Sequence, residues 1–339
     1  MRHHNQKPTY NKEHGQEYGI FYGERLRQNL VKKDPIVEGL IYENDVICIS
    51  AYTGKGKSIL AMQIMCCLTT GTPFLGTQYI PKPFNVLYLQ TEGDRAETIE
   101  RLEAMNEAIP IDDSKWVHIN LAGICLNTPE GLNQLVGLCK SVPIPIDVVI
   151  VDPLYTTMKG TMSSDQDSSD WIRNLRAFKH RLYSRCAFIL IGHEGHEVVV
   201  QGKVIPKRKD RLFGSYAWGN FVNYNYKMEV INGKHVLESG KTRNPRAIDI
   251  LEMKLVEPVP LMYVHADEDT TSAEYKVLTV LNATTPKRAS EVVKATDLSR
   301  ATVYRVLNKL LESDKIVEHE ERFGKVYTIA TNKKESNDA

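Results

Sequence analysis

Gly54, Gly56, Lys57 and Ser58 carry the plainest chemistry in this chain. Two glycines able to take positive φ let successive backbone N–H groups turn inward around an anion, and a helix starting near Lys57 adds its positive N-terminal field. A lysine directly after the second glycine reaches the β- and γ-phosphates of a nucleoside triphosphate, and the next hydroxyl ligates its Mg²⁺. The candidate nucleotide-binding segment is therefore Ala51, Tyr52, Thr53, Gly54, Lys55, Gly56, Lys57, Ser58 and Ile59. A Gly/Lys-rich surface turn would need neither of the elements that flank it. Val46 to Ser50 is a short apolar run with the pattern of a buried strand, and Ile59, Met62 and Cys66 recur at helical spacing.

Two carboxylates stand where such a site needs them. Residues 148–152 are apolar until they end on Asp152, a strand whose terminal carboxylate is placed to hold Mg²⁺ together with Ser58. Residues 85–90 form a second apolar strand, and Glu92 follows its end, just before a helix beginning near Asp94. Residues 187–192 read as a further strand ending on His193 and Glu194. Continuous apolar strands alternating with helices predict a mainly parallel sheet covered on both faces, with ligands at the carboxyl ends of the strands. Residues 117–121 supply another strand, and helices are expected over 129–139 and around Trp171, Leu175, Phe178 and Leu182. The loop over 195–211 carries Lys203, Lys207, Arg208, Lys209 and Arg211 and leaves the sheet on that same edge, so it is a candidate DNA-binding loop. A hairpin is expected about Asn232 and Gly233.

The 339 residues suit one large and one small domain, and a net charge of +1 leaves nucleic-acid binding to local patches. No apolar run has the length of a membrane span, and six scattered cysteines without ligand spacing fit a reduced, cytoplasmic protein with no membrane partner. Residues 1–33 read as a polar, mobile tail, against which a metal-ligand role for His3 and His4 is the weaker reading, with Gly23 to Val31 a candidate short docking helix. Residues 34–258 read as the nucleotide domain and 259–271 as a linker. Residues 272–331 read as a winged helix-turn-helix of three helices and a β-hairpin, and 332–339 as a disordered tail. Ser299 is placed to cap the third helix, with Val303, Val306, Leu307, Leu310 and Leu311 facing inward. Its outer face offers Arg300, Thr302 and Arg305 to duplex DNA, against the acidic neighbours Glu318, Glu320 and Glu321.

Residues 51–58, Gly71 to Gly76, Val86 to Glu92, Val149 to Asp152 and Ile191 to His193 stand together in the order and spacing of the RecA-like ATPases. Among these the chain most resembles the RepA-type plasmid and phage replicative helicases, relatives of DnaB and KaiC. The resemblance spans roughly Asp34 to Leu255. It implies an α/β RecA-like P-loop core with ATP and Mg²⁺ as its ligands, joined to the C-terminal winged helix. It further implies that Glu92 polarises the attacking water and that His193 couples the γ-phosphate to DNA-binding loops. Lys241 and Arg243 would complete the ATP site of an adjacent subunit in a homo-oligomer, a hexamer or a filament. Loops lining a central channel would then grip single-stranded DNA. The chain departs from the pattern at Ala51, Lys55 and Glu194. The leading expectation is a ring-shaped replicative DNA helicase. The alternatives are a KaiC- or recombinase-like mediator that does not unwind DNA, and a DNA-binding regulator switched by nucleotide.

Overall fold

Hydrophobic strands that bury both faces need helices on either side, and the order of elements in the computed structural model supplies them. It describes residues 33–182, 185–194, 198–200, 203–205, 215–242, 247–267, 273–281, 286–321 and 324–330. A small antiparallel pair, β1 (Pro35–Val37) and β2 (Ile41–Tyr42), leads into β3 (Val46–Ala51), which is buried along its whole length. Helix α1 (Lys57–Thr70) follows, then β4 (Val86–Gln90), α2 (Arg95–Asn106), β5 (Trp116–Asn120) and α3 (Pro129–Lys140). Next come β6 (Val148–Asp152), α4 (Asp165–Leu182) and β7 (Ala187–His193). The pattern of the sequence locates the α2 start, where the Asp94 carboxylate accepts from Glu97 N–H at 2.7 Å, and the α1 end, where Gly71 is left-handed at φ 74°.

The basic loop after β7 contains its own two-stranded pair, β8 (Val198–Val200) and β9 (Lys203–Ile205). After α5 (Tyr216–Phe221), β10 (Tyr224–Ile231) and β11 (Lys234–Thr242) form the expected hairpin, with Asn232 at φ 51° and Gly233 at φ 78° in its turn. Then β12 (Ile250–Val256) and β13 (Met262–His265) complete a nine-stranded sheet in the order β13-β12-β11-β10-β3-β7-β6-β4-β5. From β10 to β5 all neighbours are parallel, and β11, β12 and β13 extend one edge antiparallel. Alternate residues feed opposite layers. Ile47, Ile49, Tyr88 and Ile150 pack with α1 and α2, while Cys48, Leu87, Leu89 and Val151 pack with α3, α4 and α5.

The expected linker is one place where the structure departs from the reading of the sequence. Within residues 259–271, Met262 to His265 form β13 instead of loose chain. Four residues just after Pro258 and Pro260 give too short a run to announce a strand by pattern alone. Its place explains why α1 is buried nearly all round, from Leu60 to Thr70, where a surface helix would show a polar face. The buried Gln63 side chain of α1 clamps β13 by its backbone. Its Nε2 donates to Tyr263 O at 2.7 Å, and its Oε1 accepts from Tyr263 N–H at 2.6 Å.

The C-terminal part forms a separate core of α6 (Ala273–Val280), β14 (Lys287–Arg288), α7 (Ala289–Thr296), α8 (Arg300–Glu312), β15 (Ile316–Glu321) and β16 (Gly324–Ile329), a winged helix with sheet order β14-β16-β15. Ser299 caps α8 by accepting from Thr302 N–H at 3.1 Å, and Val303, Val306, Leu307 and Leu310 are buried beneath it. Among the described residues no helix is long and apolar enough to cross a membrane. The six cysteines are free thiols, all buried except the half-buried Cys125.

Gln63→Leu is expected to destabilise the fold, because it strands the buried N–H and C=O of Tyr263 at about 1–3 kcal/mol per group. The check is chemical denaturation: the midpoint falls while the slope stays that of the wild type.

Candidate nucleotide site

The parallel strands deliver their carboxyl ends to one edge, and the sequence-marked residues converge there. Strand β3 ends at Ala51, and the loop turns through Gly54 (φ 75°) and Gly56 (φ 77°) before α1 begins at Lys57. No side chain caps that helix and no acidic residue stands in its first turn, so its N–H groups and its field face an incoming anion unopposed. Lys57 Nζ donates to the carbonyls of Ala51 at 2.9 Å and Tyr52 at 2.8 Å. Burial lowers its pKa to about 8, against the opposing pull of Asp152, Glu194 and Glu92. The Ala51 carbonyl also accepts from Glu194 N–H at 2.9 Å, which ties the loop to the end of β7.

Asp152 ends β6 nearly buried, 4% exposed, and both carboxylate oxygens are engaged. Ser58 Oγ donates to Oδ1 at 3.2 Å and Tyr88 Oη to Oδ2 at 2.6 Å. Burial raises its pKa, and the two hydroxyls and Lys57 work against that rise. A hydroxyl and a carboxylate joined in this way are the donor set that a Mg²⁺ entering with a triphosphate uses in a P-loop site. Among the described residues no cluster of three His, Cys, Asp or Glu side chains could hold a metal without such a ligand. Ser58 and Asp152 fit a Mg²⁺ bound jointly by the protein and phosphate.

Glu92 lies exposed beyond β4, across the mouth from the loop. It accepts a hydrogen bond from Tyr155 Oη, whose pKa this bond pushes up to about 12. The Tyr155 ring meets that of His193 edge-on, with centroids 5.0 Å apart, and His193 Nδ1 lies 3.2 Å from Thr53 Oγ1. Burial holds the His193 pKa below its usual value, helped by the nearby Lys57 cation. Thr53, His193, Tyr155 and Glu92 thus form one line from the phosphate loop to the carboxylate. The sequence reading missed Tyr155 and Tyr88. Tyr88 stands two residues before Gln90 on a strand of known facing, so its approach to Asp152 was open to inference once β4 and β6 were paired. Tyr155 sits in a 3₁₀ turn, Tyr155–Thr157, that no periodicity announces.

The remaining marked residues lie elsewhere. Lys241 belongs to β11, near the end of the hairpin's second strand. It pairs with Asn225, which pairs in turn with Cys48, so its backbone sits two strands from β3 and back from the phosphate-loop edge. An irregularity in the β10–β11 pairing falls at Gly240, where an added Cβ would meet Asn225 Nδ2 at 3.3 Å. The backbone of Lys203 lies in β9. Arg243, Lys207, Arg208, Lys209 and Arg211, like His3 and His4, lie outside the described residues. On α8, Arg300 and Arg305 are exposed, and Arg300 stacks over the exposed Tyr304 with 5.6 Å from guanidinium to ring centroid. Thr302 is half-buried with its hydroxyl 2.8 Å from that of Ser299, so it serves the helix cap. In the wing, Glu318 is matched by Lys325 at 2.7 Å and Glu321 faces Arg288 at 3.9 Å, which reduces the acidity beside the helix.

A family model described as an AAA domain matches residues 24–198, more than half of the chain. The chain belongs to this family, and this part of it is a P-loop ATPase domain. Residues 269–332 match the model of the sugar-specific transcriptional regulator TrmB, to which the winged helix is therefore similar. No curated protein matches the chain at a significant level.

Tyr155→Phe removes the donor that holds Glu92, and a hydrogen bond to a charged group at 1.5–3 kcal/mol corresponds to roughly a tenfold or greater fall in turnover. Nucleotide affinity is expected to stay unchanged. Glu92→Gln is measured beside it by steady-state hydrolysis and nucleotide titration; a fall on the order of 10²–10⁴ below wild type is what a general base at Glu92 would give.

Proposed function

We propose, with the AAA-domain family as premise, that this chain is a DNA-associated ATPase working as an oligomeric motor, a replicative helicase of the RepA type. The observation that carries the proposal is the convergence of Lys57, Ser58, Asp152 and Glu92 on one sheet edge, in a chain that also carries a winged helix.

In this reading Lys57 leaves its two loop carbonyls to meet phosphate oxygens. Ser58 and Asp152 hold Mg²⁺, which neutralises charge on the phosphates when it is bound. Glu92, steadied by Tyr155, orients water and takes its proton. His193 touches both Thr53 of the loop and Tyr155, and in sequence it comes shortly before the basic residues of 203–211. In this role it relays the state of the phosphates to chain that grips single-stranded DNA through Lys203, Lys207, Arg208, Lys209 and Arg211, a reading that its contacts with Thr53 and Tyr155 support. Arg300 and Arg305 on α8 supply the duplex contact, with Tyr304 between them as an added stacking surface.

Arg243, assisted by Lys241, completes the site of a neighbouring subunit. Its planar fork bridges two phosphate oxygens, and cations supplied in trans contribute on the order of 10³–10⁵ in rate. The placement of Lys241 back from its own phosphate loop favours this arrangement over one within a single chain.

A second reading, a DNA-bound regulator switched by nucleotide, is favoured by the likeness of residues 269–332 to a transcriptional regulator. Strand displacement on forked DNA separates the two. The motor reading expects ATP-dependent unwinding and hydrolysis stimulated by single strands. ATP hydrolysis with duplex binding and no displacement would favour the regulator.

The trans arrangement has its own test. Arg243→Ala is expected to bind ATP and assemble while hydrolysing at a thousandth of the wild-type rate or less, as roughly 10³–10⁵ implies. Mixing it with Lys57→Ala should restore part of the turnover, since one mixed interface joins an intact loop to an intact arginine. Mixed oligomers that form and stay inactive would count against a finger acting in trans.

A further inference from the structure

We infer that Tyr263 is a positioning residue for the phosphate loop, and that the strand carrying it transmits the condition of that loop to the winged helix. The inference rests on the nucleotide reading of residues 51–59 and concerns a residue that reading does not use.

Tyr263 is fully buried, at 0% exposure, although it belongs to the edge strand β13. Its hydroxyl reaches under the phosphate loop, 3.4 Å from the carbonyl of Lys55 and 3.3 Å from that of Gly56, and donates to this pair. The approach is so close that a Cβ on Gly56 would fall 2.0 Å from Tyr263 Oη, so Gly56 is needed both for its left-handed φ and for the room it leaves this hydroxyl. The ring is held in place from the side by His235, edge-on at 5.0 Å between centroids. Its backbone is fixed to α1 by both ends of the Gln63 amide. The hydroxyl, ring and backbone are thus each engaged by a different element, and two of those contacts are to the phosphate loop and to the helix it opens.

The other end of this strut leads to the winged helix. Met262, the neighbour of Tyr263, accepts a hydrogen bond at its sulfur from Tyr275 Oη of α6 at 3.7 Å. Between α1 and the winged helix lies a cavity of about 390 Å³ whose lining includes Cys67, Leu75, Met262, Tyr275, Leu278 and Ile329. Close packing couples neighbouring elements rigidly, and this solvent-open cleft interrupts it between the two cores, which leaves them room to shift against each other. A rigid strut beside a loose contact is an arrangement in which a small displacement at one end moves the other.

The loop supplies that displacement. Lys57 donates to the carbonyls of Ala51 and Tyr52, four and three residues before the backbone that Tyr263 holds. Turning its ammonium to a phosphate withdraws both donors, and the loop carbonyls must find new geometry. Tyr263 then moves with the carbonyls of residues 55 and 56 or loses them, and β13 carries the change to Met262 and α6. Coupling is reciprocal: whatever engages the winged helix changes nucleotide affinity by the same factor.

The test uses the full chain, wild type and Tyr263→Phe, which keeps the ring and removes only the hydroxyl. Affinity for a slowly hydrolysed ATP analogue with Mg²⁺ is titrated, and amide hydrogen exchange over residues 273–281 is measured with and without it. The wild type is expected to change exchange there about fivefold or more on binding, the lower end of ordinary allosteric coupling. Tyr263→Phe is expected to bind the analogue severalfold more weakly and, once saturated with it, to leave exchange at 273–281 within twofold of its analogue-free value. A purely structural hydroxyl would lower stability in both conditions and leave the exchange response intact. An equal response in both proteins overturns the inference, as does a wild type that binds the analogue without any response at 273–281, whatever the stability of the variant. A wild type that does not bind the analogue overturns the nucleotide reading itself, and the inference falls with it.

Discussion

A carboxylate at the end of a strand that is apolar throughout must find donors or lose its charge, and Asp152 is in that position. Tyr88 comes from the neighbouring strand and Ser58 from the helix beyond the next strand but one, while the Lys57 ammonium adds its field from the same turn. Each partner constrains an element. Tyr88 fixes how β4 lies against β6, Ser58 fixes how deeply α1 enters, and Lys57 ties the loop back on itself. The site is therefore a by-product of satisfying one buried charge. A Mg²⁺ shared with phosphate would take over work already distributed among side chains that sit within a few ångströms of it.

The legibility of the sequence follows from how much of each element's signal is local. Val148 to Asp152 carries its own meaning, as four apolar residues suffice for a strand buried on both faces and the fifth, Asp152, is its terminal carboxylate. The phosphate loop is equally local, with Gly54, Gly56, Lys57 and Ser58 in one turn. The C-terminal helices were readable for the same reason: Ser299 and its inward-facing row of Val303, Val306, Leu307 and Leu310 lie within one helix.

What escaped the reading is what depends on contacts far apart in the chain. Met262 to His265 became a strand because β12 offered an edge and Gln63, 200 residues away, offered both hydrogen-bonding groups to Tyr263. The helical pattern of Ile59, Met62 and Cys66 suggested one apolar face, whereas α1 is covered all round. The missing cover was the segment read as linker. Tyr155 reaches Glu92 across 63 positions, and its exposed ring in a short turn resembles any surface tyrosine until the turn is placed.

The reversal of direction at Asn232 and Gly233 has a consequence for symmetry. The parallel strands put their ligand-binding ends at one border of the sheet, while the hairpin returns Lys241 toward the opposite border. A contact that joined these two borders between copies would match unlike surfaces, so it could not be its own twofold mate. Every added copy would leave one donor border and one acceptor border exposed. The rotation per contact alone would then decide whether the series closes on itself or continues without end.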